Sequence, residues 1–175
     1  MKNILVYPNE LLNQKAQEVK LPLSEEDKKL LNEMFNFVKE SQKPVGENEE
    51  LEPGDPRNNP AVGLAAPQVG VLKRMFVVRI NLSNLKLLLK IVNPRVIVQD
   101  KRPYFVPGGE GCLSEPDVRV MVPRARRIFL TGFDTLSNKM INVTLEGYAA
   151  AVVQHEYDHL EGKLLHDYQG GGQIR

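Results

Sequence analysis

The sequence of 175 residues has one cysteine, a net charge of only +1 and no long hydrophobic run. One cysteine cannot form an internal disulfide, so folding does not depend on an oxidising compartment. No apolar stretch approaches the roughly 18 residues of a membrane span, and the first residues show no secretory signal. A charge this small also argues against a dedicated nucleic-acid binder. We therefore expect a cytoplasmic protein with neither a membrane nor DNA as its partner.

The length is that of one domain, and we expect that domain to cover residues 1–169. Residues 46–60 are rich in Glu, Asn, Pro and Gly, a composition that indicates an exposed insertion loop. Residues 170–175 show no helical pattern and predict a flexible tail.

Local patterns predict an α+β fold. Ser24 and the three acidic residues after it resemble a helix N-cap, and apolar residues then recur at helical spacing up to Val38. Residues 75–80, 87–92 and 96–98 are strand-like, with a turn predicted at Asn93–Pro94. Alternation of apolar and polar residues over 118–122 and 141–145 indicates half-buried strands.

Two other segments carry unusual compositions. Residues 63–70 are small, with one proline, and are expected to form neither a regular helix nor a regular strand but a close backbone approach. Residues 148–153 are apolar almost all round, which indicates a buried helix. The predicted architecture is a set of antiparallel or mixed strands packed around this central helix.

The same helix continues into His155, Glu156 and His159. Histidines four apart project from one helix face, so both imidazoles can reach one metal ion. Glu156 is placed to act as a base toward a water molecule rather than as a ligand. The alternative is a solvated helix end with incidental histidines. The apolar residues before it argue against that reading, because buried His and Glu are costly unless paired or metal-bound.

A catalytic metal needs a third protein ligand. An extended HExxHxxGxxH pattern would require histidine where Leu165 stands, and His166 is out of register by one. Apart from Glu161 and Asp167, no acidic residue follows His159. The third ligand is therefore expected upstream.

Cys112 is the candidate for that ligand. A thiolate with two imidazoles suits Zn(II), Fe(II), Ni(II) or Co(II) and leaves a coordination position open, and Gly111 would allow the backbone to approach the metal. The alternative is that Cys112 is simply a small buried hydrophobe. Gln68 is a second candidate, whose amide could donate to a developing oxyanion, a role worth roughly 3–4 kcal/mol per donor. Capping of a turn explains this glutamine equally well.

Three segments, at residues 63–68, 110–114 and 154–159, resemble the signature motifs of the peptide deformylase family, and they occur in the family's order. The N-terminal stretch is also similar, so the likeness covers nearly the whole chain. The insertion at 46–60 resembles the longer loop of Gram-positive and mycoplasma members. The resemblance implies that residues 1–169 form a catalytic domain that removes the N-formyl group from formylmethionine of nascent polypeptides, with release of formate.

The resemblance also implies roles for individual residues. Cys112, His155 and His159 would bind one divalent metal, usually Fe(II) in the family, and Glu156 would be general base and then general acid. Gln68 and the backbone N–H of Leu113 would stabilise the oxyanion. The implied substrate-binding residues are Val62, Gly63, Gly109, Glu110, Arg119, Tyr148, Ala151 and Val152, with Arg119 near the downstream part of the peptide. Glu110 and Arg124 match a buried ion pair behind the ligands.

One departure from the family pattern is Glu115, which stands where an apolar residue beside the peptide cleft is common. It leaves the implied catalysis intact, and it leaves the preference for the residues after methionine open. Some family members dock on the ribosome, and the resemblance leaves that association open, since the tail supplies no helical pattern for it. The rival functions are a metallopeptidase with a thiolate ligand and a metal-stabilised binding domain with a closed coordination shell.

Overall fold

The computed structural model describes residues 3–169; the tail predicted at 170–175 lies outside the described residues. The chain forms two α-helices and seven strands within this range. These elements are α1 (Glu25–Ser41), β1 (Gly63–Ala65), β2 (Met75–Asn81), β3 (Lys86–Tyr104), β4 (Glu110–Cys112), β5 (Glu115–Val120), β6 (Arg124–Asp134), β7 (Lys139–Glu146) and α2 (Gly147–Leu160). An antiparallel sheet has the strand order β1-β2-β3-β6-β7, and β4 and β5 form a separate hairpin. The predicted α+β fold with antiparallel strands is confirmed.

The capping pattern at Ser24 correctly predicts the start of α1. The Ser24 hydroxyl accepts a hydrogen bond from the Asp27 N–H at 3.1 Å, which satisfies one of the free amides of the first turn. Leu31, Met34 and Val38 share one helix face and are fully buried in a cluster with residues of β1 and β2. This helix therefore supports the first two strands of the sheet from one side.

The turn predicted at Asn93–Pro94 is wrong, because β3 runs through it without ending. Asn93 adopts a left-handed conformation with φ 49°, and the register of β3 against β6 shifts between Val92 and Arg95. A β-bulge absorbs the irregular pair of residues. The Asn93 side chain bonds both the N–H and the C=O of Val19, each at 2.8 Å. This distant contact stabilises the left-handed residue.

The expectation that residues 63–70 lack regular structure is wrong for the first three of them. Gly63–Ala65 pair with Phe76–Val78 as β1, and a 3-10 helix follows at Ala66–Val69. All of these residues are buried except Gly70, which is partly exposed, so no alternation of apolar and polar residues marks the strand. β1 is the last strand on its side of the sheet.

Helix α2 packs against strands of the five-stranded sheet, which accounts for its apolar residues. Gly147, with φ 55°, makes the sharp change of direction from β7 into the helix. Ala149–Val153 are buried, and all of them except Ala151 belong to one apolar cluster with residues of β2, β3 and β6. His155, Glu156 and His159 occupy the later turns of α2. None of the described helices is long and apolar enough to cross a membrane.

Candidate metal centre and active site

The structure brings Cys112, His155 and His159 together. One ligand atom from each of them lies within 4.8 Å of the other two, and the Sγ of Cys112 is 3.4 Å from the Nε2 of His159. With tetrahedral angles and usual metal–ligand bond lengths, a thiolate sulfur and an imidazole nitrogen on one ion lie roughly 3.5 Å apart. Cys112 ends β4 and both histidines are on α2, so the hairpin and the helix together define the site.

The carboxylate of Glu156, which lies buried at this centre, supports the same assignment. Among residues 3–169, only Glu156 Oε2 and His159 Nδ1 are buried side-chain N or O atoms without a hydrogen-bond partner. A buried carboxylate oxygen normally requires a donor. Burial raises the pKa of Glu156 to about 7, and burial also lowers the pKa of His159 well below its usual value. A neutral His159 and an unpartnered carboxylate are what a metal with a bound water would need. The residues present therefore fit a divalent metal.

A chain of ionic contacts fixes the orientation of His155. Its Nδ1 lies 3.0 Å from Glu110 Oε2, and Arg124 holds the same carboxylate with two hydrogen bonds of 2.8 Å. Burial alone would raise the pKa of Glu110, but the hydrogen bonds from Arg124 and His155 prevail and lower it to about 2. The ionised carboxylate therefore accepts a hydrogen bond from Nδ1–H, which leaves the Nε2 of His155 as the atom that can bind a metal.

Replacement of Arg124 by methionine is expected to destabilise the fold by about 3–5 kcal/mol, because it removes the cationic partner of the buried Glu110 and of the partly buried Asp158. The matched control is Arg95→Met, which removes a pair between two exposed side chains and should cost less than about 1 kcal/mol. Urea unfolding of both variants measures the difference. Equal and small losses would show that the Arg124 network contributes little to stability.

The contacts of Gln68 are compatible with both of the roles that the sequence left open. Its Oε1 accepts the Ala65 N–H at 2.9 Å, as a turn cap does. Its Nε2 donates to Ser114 Oγ at 3.2 Å and lies 3.6 Å from Cys112 Sγ. The cap thus fixes the amide so that its donor end is directed to the candidate metal centre.

A pocket opens beside these atoms. Its lining includes every substrate-binding residue implied by the resemblance, together with most of the candidate catalytic and metal-binding residues: Val62, Gly63, Gln68, Gly109, Glu110, Cys112, Leu113, Arg119, Tyr148, Ala151, Val152, His155 and Glu156. His159 and Arg124 are buried and do not line it. Sequence reasoning missed Ala61, Val106 and Pro116. The available signal was adjacency to singled-out residues, since Ala61 precedes Val62 and Pro116 follows Glu115; Val106 had none.

The expectation that Glu115 faces the peptide cleft is wrong. Its side chain is buried and does not line the pocket. The carboxylate instead accepts hydrogen bonds from the N–H groups of Leu165 and His166 at 2.6 and 3.2 Å. This contact joins Glu115 to the 3-10 helix at Leu165–Tyr168. Its side chain is therefore not placed to select the peptide residues after methionine by direct contact.

Gly63 makes the closest backbone approach in the site. A Cβ atom at this position would lie 2.3 Å from Oε1 and 2.6 Å from the carboxyl carbon of Glu156. Gly63→Ala must therefore move Glu156, and a misplacement of about 1 Å costs roughly 10²-fold in rate. We expect that loss in kcat, with metal content unchanged. Gly46→Ala, where the added atom meets Glu49 at an ordinary 3.5 Å, is the control. Equal rates for the two variants would contradict the close approach.

One thiolate, two imidazoles and a helix glutamate beside an open pocket define a metal-dependent hydrolase. Comparison with known families then shows to which family of metal-dependent hydrolases the chain belongs. The model of the polypeptide deformylase family matches residues 1–171, and the chain belongs to that family. It is accordingly an enzyme that removes the formyl group from N-terminal formylmethionine and releases formate.

Individual relatives agree with the family assignment. The chain is 41% identical to the peptide deformylase of Shouchella clausii over 170 residues, covering 95% of this chain and 88% of that protein. It is 39% identical to that of Ligilactobacillus salivarius over 174 residues, covering 96% and 89%. Among solved structures, the Thermotoga maritima peptide deformylase superposes with a TM-score of 0.73 at 31% identity, covering 100% of this chain and 98% of that one. The Legionella pneumophila enzyme gives 0.74 at 32% identity, covering 95% and 85%.

Proposed function

We propose that Cys112, His155 and His159 hold one divalent cation and that Glu156 moves the proton during deformylation, with α2 as the central helix that carries the metal-binding motif. The observation that supports this most strongly is the convergence of the three ligand atoms within 4.8 Å next to the unpartnered carboxylate oxygen of Glu156. When bound, the cation would make a water molecule more acidic and polarise the formyl oxygen.

The side chains then perform the remaining chemistry. Glu156 takes a proton from water as the water oxygen bonds to the formyl carbon, and passes it to the amine as the carbon–nitrogen bond breaks. The products are formate and a free amino terminus. Gln68 Nε2 and the Leu113 N–H donate to the oxyanion. Glu110 and Arg124 keep His155 in the tautomer that a ligand requires.

The pocket next to the centre receives the methionine side chain in this proposal. Tyr148, Ala151 and Val152 of α2 offer an apolar wall, and Val62 and Gly63 also line the pocket. An unbranched thioether fits such an irregular apolar space. Arg119, which also lines the pocket, is assigned to the peptide residues after methionine.

The cation in the cell is proposed to be Fe(II), with Zn(II), Ni(II) and Co(II) as the alternatives. Protein purified without oxygen is then expected to contain iron and to lose its activity in air, since the thiolate of Cys112 and the ferrous ion are both oxidisable. Metal analysis and repeated rate measurements during exposure to air test this. Zn(II) has no redox chemistry. A Zn(II)-loaded sample therefore serves as the control for loss of activity through oxidation of the Cys112 thiolate alone. Stable activity in air with iron bound would count against Fe(II).

We propose one catalytic domain over residues 1–169, working on nascent chains in the cytoplasm, with 46–60 as its exposed insertion. Arg57 pairs with Asp55 and Glu49 within that insertion, and the insertion ends directly before Ala61 of the pocket. Ribosome association stays a prediction from the resemblance.

The reaction is tested with three versions of one methionine-leading peptide: formylated, acetylated and with a free amino terminus. Mass spectrometry follows each of them. We expect loss of the formyl group alone, with the other two peptides intact. Cleavage of internal peptide bonds in the free peptide would favour the rival metallopeptidase.

A further inference from the structure

The 3-10 helix at Leu165–Tyr168 contacts both elements that carry the candidate metal ligands. Leu165 is buried in one apolar cluster with Cys112, Val120 and Val122. Tyr168 donates its hydroxyl proton to Asp158 Oδ2 at 2.7 Å, and Asp158 is the residue before His159 on α2. This short segment therefore touches the hairpin on one side and the helix on the other.

The connection to the hairpin passes through Glu115. This residue begins β5 and pairs directly with Cys112 across the hairpin. Its carboxylate, only 4% exposed, accepts the N–H groups of Leu165 and His166, and its Oε1 lies 2.9 Å from His166 Nδ1. A buried carboxylate is costly unless donors surround it, so these donors fix both Glu115 and the 3-10 helix.

The connection to α2 passes through Tyr168 and Asp158. Arg124 donates to Asp158 and, with its other nitrogens, to Glu110. Glu110 in turn contacts Nδ1 of His155. The Arg124 guanidinium also lies over the Tyr168 ring, 5.1 Å from its centroid. An unbroken series of polar contacts thus runs from the C-terminal 3-10 helix to the imidazole of a candidate ligand.

We propose that the 3-10 helix at Leu165–Tyr168 is a positioning element of the metal centre, in which Glu115 and Tyr168 together set the separation of the Cys112 hairpin from His155. Neither residue lines the pocket, so both act through the ligands and not on substrate. The inference rests on the proposed assignment of Cys112 and His155 as ligands of one divalent cation. Partners behind metal ligands typically contribute 10–100-fold to metal affinity.

The test uses the full chain loaded with one Co(II) under anaerobic conditions, with Tyr168→Phe and Glu115→Gln as variants. Tyr168→Phe removes only the hydroxyl contact with Asp158. Glu115→Gln keeps the size of the side chain but places an NH₂ group against N–H donors. We expect Co(II) to dissociate into a competing chelator about 10–100-fold faster from either variant, with a change in the cobalt–thiolate absorption bands. Glu18→Gln, which alters an exposed pair with Arg95, should release cobalt at the wild-type rate.

The outcomes separate this inference from the proposed function. Wild-type protein that binds no Co(II), or binds it without a thiolate band, would overturn the ligand assignment and the inference with it. Normal cobalt binding by the wild type, with unchanged release rates and spectra in both variants, would overturn the inference alone, even if the variants melt at a lower temperature. If Glu115→Gln does not fold, the rate of Co(II) release and the spectrum of Tyr168→Phe alone test the inference.

Discussion

Glu156→Gln is expected to lower the rate of formate release at least ~10²-fold while the protein keeps its metal. The amide has nearly the shape of the carboxylate, but it cannot accept the proton of the attacking water. Glu156 is not one of the three clustered ligand residues, so the metal content should not change. Steady-state formate release and metal analysis on the same preparation measure both quantities.

The matched control for this variant is Glu146→Gln, at the residue that precedes α2. Glu146 is exposed and pairs with the exposed Arg127, so its replacement should leave the rate of formate release unchanged. Full activity in Glu156→Gln would remove this residue as the base. Loss of metal from Glu156→Gln would instead place its carboxylate among the ligands.

Cys112→Ala is expected to lose the metal and, with it, formate release. The substitution removes one of the three ligand side chains, and the loss of affinity should exceed the ~10–100-fold that follows the loss of a partner behind a ligand. Metal content after dialysis and the rate with a formylated peptide measure the effect. The variant chain should still fold, because alanine suits a small, buried and mostly apolar position.

The wild-type chain supplies the control, because Cys112 is its only cysteine. A thiol reagent should modify one group per metal-free chain and much less when metal is bound, since a coordinated thiolate is no longer a free nucleophile. Unchanged metal content and rate in Cys112→Ala would exclude the thiolate as a ligand. Equal thiol reactivity with and without metal would do the same.

The local parts of the site could be predicted from sequence because helical geometry fixes them. The spacing of His155 and His159 places both imidazoles on one face of any regular helix. The Ser24 cap and the alternation over residues 141–145 are equally local, and both predictions agree with the structure. The pairing of Cys112 with His159, 47 residues apart, is different. Scarcity of other ligands and the family resemblance predicted it, and periodicity could not.

Two of the wrong predictions, those for Asn93 and Glu115, concern contacts between distant residues. Asn93 stays within a strand because the backbone of Val19, 74 positions away, bonds its side chain. Glu115 is buried because Leu165, 50 positions away, donates to it. β1 is too short and too buried to show a pattern. A single sequence carries no local signal for partners of this kind.

The most direct test of the account is formate release from a formyl-Met tripeptide by protein purified without oxygen, before and after treatment with a chelator. We predict release that the chelator abolishes and that added Fe(II), Ni(II) or Co(II) restores. Release that persists after complete removal of metal would contradict the proposed role of Cys112, His155 and His159. No release with any of these metals would contradict the assigned reaction.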